Sequence, residues 1–363
     1  LSATRVNASQ LIEKGRENVL LQSNSFSDGA WPLELATITS GQSGYDGSSG
    51  AWLLDSSAAG GNIRQGSTIS GVNTFSIYAK KGTADGIRIR FDQTTDTNIF
   101  IDLTNGSVSA AINDISTSIQ DVGNGWYRIT FAMLNAGLSL FRFYPTDGGT
   151  NPIIGNILIQ DAQLEQGLVS TPYIETGATT AQAGILENTP RLDYSGGASC
   201  PSLLLEPSRT NLIGYSEYFG GSYYVKGSGV SILENNYTSP EGLVNGAKLI
   251  GATGTDRNGS VITRIMSVSS STTYTASIYV YRDTATQCTL YLRDGSTGVI
   301  VSQSVTLESG WQRIEKSLTT GGSTSQINWY LGNADGNIGI YGFQLESGSY
   351  PTSYIPTYGV SQT

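Results

Sequence analysis

Apolar and polar residues alternate in short runs along most of the chain, without the three-to-four-residue apolar spacing of a helix. FSIYAK, IRIRFDQ, IFIDL, WYRITFAML, LSLFRFYP and IGNILIQDAQL in the first half each predict a strand with one apolar and one polar face. TASIYVYR, QCTLYLRD, VIVSQSVTL, WQRIEKSL, QINWYLG and IGIYGFQLE do the same in the second half. Turn-forming TNGS (104–107), GNG (123–125), TDGG (146–149) and NADGN (333–337) punctuate them. Such density of short strands predicts an all-β protein built from antiparallel two-sheet sandwiches of jelly-roll type.

The two halves repeat one another. ENVLLQSNSFS (17–27) answers TNLIGYSEYF (210–219), and NTFSIYAKKG (73–82) answers TYTASIYVYRD (273–283). GWYRIT (125–130) answers GWQRIE (310–315), DAQLEQG (161–167) answers GFQLESG (342–348), and TPYIETG (171–177) answers TSYIPTYG (352–359). The shared order predicts a duplicated domain. The expected organisation is an N-terminal extended attachment segment (1–16), a first jelly roll (17–177), a connecting segment (178–209) and a second jelly roll (210–363). With three prolines and the run Leu203–Leu205, residues 181–209 are expected to pack as an extended strand rather than hang free.

Composition narrows the function. Gly (45) and Tyr (20) are abundant and charged residues are only 13%, which disfavours helical bundles and α/β enzymes. A net charge of −9 without a basic stripe argues against nucleic acid. No apolar run is long enough to span a bilayer, so no membrane insertion is expected. Leu1 opens no signal-peptide pattern, and the chain is expected to begin inside a longer or processed polypeptide. Cys200 and Cys288 are expected to be free, mostly buried thiols. Histidine is absent, which removes the commonest general base and most catalytic zinc sites. A carboxylate-based hydrolase would draw on Asp85, Asp92, Asp96 and Asp102, which Asp283 and Asp294 only partly mirror. No catalytic residue is assigned and no enzyme is expected.

The remaining candidates concern packing and binding. Trp126 and Trp311, of the GWxR elements, are expected to close the cores with their indole N–H on loop carbonyls. Leu164 and Leu345 should face inward, with Gln163 and Gln344 outward or on neighbouring backbone. Glu165 and Glu346 have two readings: capping backbone donors, or helping to hold a structural Ca²⁺, the one cofactor considered. Trp329, Tyr291 and Tyr330 on central strands, with Trp31, Trp52, Tyr223 and Tyr224 near the first-strand loops, are the candidate glycan contacts. Sugar C–H groups stack on exposed indole and phenol faces.

ATRVNASQLIEKG (3–15), ENTPRLDYSGGASCPSLLLEPSRTNLI (187–213) and SYIPTYG (353–359) together resemble a phage structural-protein type found in head-fibre, tail-fibre and tail-appendage proteins. In that type the ATRVN and NTPRLDY elements lie close together, whereas here the first repeat stands between them. The repeats resemble carbohydrate-binding modules of jelly-roll, galactose-binding-like fold. The resemblance implies a non-enzymatic component displayed extracellularly on a virion surface, with other virion proteins and a host-surface glycan as partners. It also implies a homo-oligomer, commonly a trimer in such fibres. The alternatives are a purely structural fibre or capsid-attachment protein, and a secreted binding module of a polysaccharide-degrading system.

Overall fold

The computed structural model describes residues 4–137, 139–186, 189–197 and 199–363. Of the segments named above, residues 1–3, Leu138, Glu187, Asn188 and Ala198 lie outside the described residues. The fold is all-β and antiparallel, as the alternation predicted, and forms two jelly-roll sandwiches.

The first unit is Arg16–Ala183. One six-stranded sheet runs Ser107–Ile112, Thr97–Asp102, Gly86–Asp92, Ser139–Thr146, Asn62–Ser67, Leu33–Glu34. The other runs Ser116–Gly123, Trp126–Ala136, Ser70–Lys81, Gly155–Gln166, Ala51–Ser56, Ala36–Gln42. Alternation sends Ile87, Ile89 and Phe91 inward from the first sheet to meet Phe75, Ile77 and Phe131 of the second. Their intervening neighbours Arg88 and Arg90 face out.

The second unit is Gly184–Thr363 together with the described residues up to Gly15. Its two five-stranded sheets run Val225–Lys226, Ile262–Ser267, Gln326–Gly332, Gln287–Asp294, Ile300–Thr306 and Ser231–Tyr237, Gly246–Ile250, Ile338–Ser347, Thr273–Arg282, Trp311–Thr319. Leu290, Leu292, Trp329 and Leu331 meet Ile278, Val280, Ile340 and Phe343 in its core.

The segments expected to attach and connect are distributed differently from their sequence reading. Thr4–Val6 pairs with Ile12–Lys14, and Ile12 N–H donates to Pro240 O, so this hairpin is part of the second sandwich. Ala181–Ala183 pairs with Arg16–Asn18 and closes the first unit on itself. Ser202–Leu203 forms a two-residue ladder with Leu192–Asp193 and Leu204 N–H donates to Arg191 O, while Leu205 stays 82% exposed. Cys288 is buried, but Cys200 is exposed, because it lies in that loosely packed segment.

The repeated motifs are a shared internal scaffold. Asn18 Nδ2 donates to the carbonyls of Ala162 and Ile174, while its Oδ1 accepts from Leu20 and Leu164 N–H. Asn211 does the same to Phe343, Ile355, Ile213 and Leu345. Gln163 and Gln344 each accept a backbone N–H, from Ile174 and Ile355. The GWxR arginines behave alike: Arg128 lies over Tyr78 and donates to Thr171 O, and Arg313 lies over Tyr279 and donates to Thr352 O.

The two GWxR tryptophans divide: Trp126 is buried as expected, though on the outer side of its sheet, and the core assignment of Trp311 is corrected. Ile129 and Ile314 point into the cores, so Trp126 and Trp311, three residues earlier, fall on the opposite sheet faces. Trp126 is buried there edge-on to Tyr45. Trp311 remains partly exposed, its indole N–H on Thr238 O at 2.8 Å.

Candidate functional site: two open sheet faces

In each sandwich, the outer face of the sheet containing Gly86–Asp92 or Gln287–Asp294 gathers aromatic and charged side chains. In the second unit, cross-strand register places Ser302, Tyr291, Tyr330 and Thr263 in one row, and Ile300, Arg293, Asn328 and Ile265 in the next. Tyr291 and Tyr330 stack at 4.5 Å between centroids and 7° between planes. Tyr291 is partly exposed, whereas Tyr330 beside it is covered. Burial raises the Tyr330 phenol above its usual pKa, so it stays a neutral hydrogen-bonding group. The Thr263 hydroxyl donates to Asn328 Oδ1 and stands on the same side.

The corresponding face of the first unit carries other chemistry. Phe100, Arg88 and Tyr144 form one cross-strand row, and Asn98, Arg90, Arg142 and Arg64 the next. Asp92 holds Arg90 and Arg142, Asp96 holds Arg90, and Glu34 holds Arg64 and Arg142. These arginines were not among the sequence candidates. The signal was present in GIRIRFD and LFRFY, whose alternation puts isoleucine and phenylalanine inside and arginine outside.

The aromatic candidates divide by burial. Trp329 lies in the core, stacked 3.8 Å from Phe343; Trp31 is buried, its indole N–H donating to Leu21 O and Gln22 O; Tyr224 is buried against Phe219. A sugar cannot reach them, and the expected glycan contact at these three is corrected: Trp329 is in phase with the inward residues of its strand, and Trp31 and Tyr224 lie in loops that fold into the cores. Tyr330 is likewise covered. Trp52 and Tyr223 are partly exposed, but Trp52 is tied to Asn24 O, and Arg264 occupies a face of Tyr223 at 4.1 Å. Tyr291 keeps both exposure and a platform.

The carboxylates are structural where the sequence left them open. Glu165 accepts the N–H and hydroxyl of Thr171 on its two oxygens, and Glu346 accepts the same pair from Thr352. Both are fully buried with each oxygen engaged, which corrects the Ca²⁺ reading in favour of capping. Among the described residues no group of three or more His, Cys, Asp or Glu is arranged to hold a metal ion. Asp102 closes its own turn through Thr104, and Asp283 pairs with Lys248. Asp85 pairs with Lys81. Asp294 accepts from Ser296, Thr297 and Gly321 N–H, which hold its carboxyl well below the usual range.

Among the described residues, concavities lie elsewhere too. One of about 290 Å³ in the second unit is lined by Arg5, Asp193, Glu206, Tyr279, Arg313 and neighbours. One of about 620 Å³ in the first is lined by Val19, Leu21, Gln65, Ile69 and neighbours, with no charged side chain.

No protein-family model matches the sequence, and no curated protein matches it. Among solved structures, the N-terminal tandem CBM22-1–CBM22-2 domain of Xyn10C from Paenibacillus barcinonensis aligns over 92% of this chain and 98% of its own, at 11% identity and a TM-score of 0.30. The C-terminal family 22 carbohydrate-binding module of Clostridium thermocellum Xyn10B covers 38% of this chain and 94% of its own, at 15% identity and 0.28. The enzymatically active domain of bacteriophage CBA120 tailspike protein 4 covers 38% of this chain and 21% of its own, at 11% identity and 0.29. At such scores, what these faces bind has to come from the chain's own residues.

Proposed function

We propose that this chain is a carbohydrate-binding protein without catalytic activity, whose two sandwiches present open sheet faces to glycan, and that it serves on a virion surface in host adhesion. The observation that carries the binding reading is Tyr291: a partly exposed ring backed by Tyr330, with Ser302, Asn328, Thr263 and Arg293 alongside. An apolar ring flanked by hydroxyl, amide and guanidinium groups suits a sugar, which offers C–H faces and equatorial hydroxyls together. Two modest sites on one chain gain avidity when several chains share a particle.

The virion reading is supported by how the resembling motifs fold. Val6 N–H donates to Asp193, and Arg191 donates to Thr4 O and Ser353 Oγ. Glu206 accepts from Ser353 N–H and pairs with Arg191. The three separated motifs thus build one polar cluster in the second unit.

A glycan array on the purified chain tests binding, with Tyr291→Ala expected to lose at least about tenfold on any positive neutral glycan. An empty array, or Tyr291→Ala binding like the parent, overturns the glycan role. Immunodetection in purified particles tests the setting; finding the chain instead in a secreted polysaccharide-degrading complex overturns it.

A further inference from the structure

Resting on the glycan-binding reading, we propose that the open face of the first sandwich takes a carboxylated sugar of an acidic polysaccharide, with Arg88 as its anion-binding group.

The chain holds only 20 lysines and arginines and has a net charge of −9, yet four arginines stand in adjacent rows on this one face. Arg90, Arg142 and Arg64 are direct cross-strand neighbours, an arrangement that repels unless neutralised. Glu34, Asp92 and Asp96 neutralise it, with ion-pair distances from 2.5 to 3.2 Å. A network closed in this way is a sufficient structural account of those three arginines.

Arg88 lies outside that account. Its guanidinium sits 5.2 Å from the ring centroids of both Phe100 and Tyr144, its neighbours on the flanking strands. Its protein acceptor is neutral: Asn98 Oδ1 takes Nε–H at 3.1 Å and an Nη2–H at 2.7 Å. Among the described residues no carboxylate lies within ion-pair distance of it, and the Nη1 end has no acceptor. Phe100 and Tyr144 are each only 6% exposed, so they wall the cation with low-dielectric material. Burial is the main cause lowering its pKa, neighbouring Arg90 adds to it, and Tyr144 with the more distant Asp92 and Asp96 offsets that desolvation only in part.

An incoming carboxylate would offset it, since attraction strengthens where water is thin, and the planar fork matches carboxylate geometry. The surrounding face is an open sheet able to accept an extended polymer. The second sandwich has the neutral Tyr291–Tyr330 pair in its cross-strand row, so the duplicated faces have diverged in ligand chemistry.

The test uses the full chain in affinity electrophoresis with polygalacturonate, its fully methyl-esterified form, dextran sulfate and a neutral β-glucan. Polygalacturonate is expected to retard the chain at least about tenfold more strongly than its ester. Arg88→Gln should remove that difference and leave neutral-glycan retardation unchanged. Asn98→Asp places a carboxylate beside Arg88 while keeping the guanidinium, and should have the same effect; it carries the test if Arg88→Gln lowers the melting temperature. Equal retardation by acid and ester overturns the proposal. So does polygalacturonate binding that survives both variants, or dextran sulfate binding that matches it and ignores both, which marks general charge attraction. If no polysaccharide of either kind retards the parent chain, the underlying glycan reading fails as well, whereas neutral binding alone sinks only the proposal made here.

Discussion

Lys14 and Glu217, 203 residues apart in sequence, meet at 2.5 Å inside the second unit, with 1% and 2% of their side chains exposed. Glu241 reaches the same ammonium at 2.7 Å, Tyr354 donates to Glu217 and Tyr341 to Glu241. One cation thus stands against two buried carboxylates. Lys14→Met should destabilise the second unit by about 3–5 kcal/mol, because both carboxylates then lose their counter-ion. The triple variant Lys14→Met/Glu217→Gln/Glu241→Gln should recover much of that loss. Urea unfolding followed by tryptophan fluorescence measures both.

Asn18 and Asn211 each satisfy four backbone groups at the joint of the first and last strands of their repeats. Asn→Ala at either position leaves two N–H and two C=O groups to find new partners, at a cost of about 3 kcal/mol. The expected outcome is a lower unfolding midpoint for the repeat that carries the change, by calorimetry. Equal midpoints in parent and variant would contradict the shared scaffold.

Asp161 gives the first sandwich a pH dependence of definite sign. It is held at positive φ in a bulge of the Gly155–Gln166 strand and accepts the Tyr45 hydroxyl at 2.9 Å. Burial raises its carboxyl to about 6. A folded pKa above the unfolded one means the stabilisation is full below about 4 and is lost as pH rises through about 6. Asp161→Asn should flatten that fall in thermal midpoint between pH 4 and 7. An unchanged slope would show that the titration lies elsewhere.

Trp329→Ala tests core against surface. Removing the indole between Tyr224 and Phe343 should cost about 3–5 kcal/mol. Tyr291→Ala, on the opposite side of the same sheet, should change stability by less than about 1 kcal/mol and act on glycan binding instead. Denaturation midpoints and array signals for both variants separate the two roles.

Strand identity and the duplication were legible because period-two alternation and repeated QLE and GWxR motifs are local signals. Which face an aromatic takes was legible only by counting from a known inward neighbour. Ile129 and Ile314 would have placed Trp126 and Trp311 outside the cores. The pairing of Lys14 with Glu217 and Glu241 was not legible, since nothing in LIEKG announces partners two hundred residues away. The arginine rows needed register as well as alternation: Arg88 meets Phe100 and Tyr144 only after three strands are aligned.

The insertion of Arg16–Ala183 between the two parts of the second unit sets a timetable for synthesis. Lys14 leaves the ribosome first and must stay hydrated until Glu217 has been made. At about 5–20 residues per second that wait is about 10–40 s. During it, the first sandwich has all of its own strands and can fold. The ladder between Arg16–Asn18 and Ala181–Ala183 then ties its two ends together, turning a long search for the late partner into a short one. The early domain thus acts as a clamp on the nascent chain, holding Lys14 beside Gly184 as the later strands emerge.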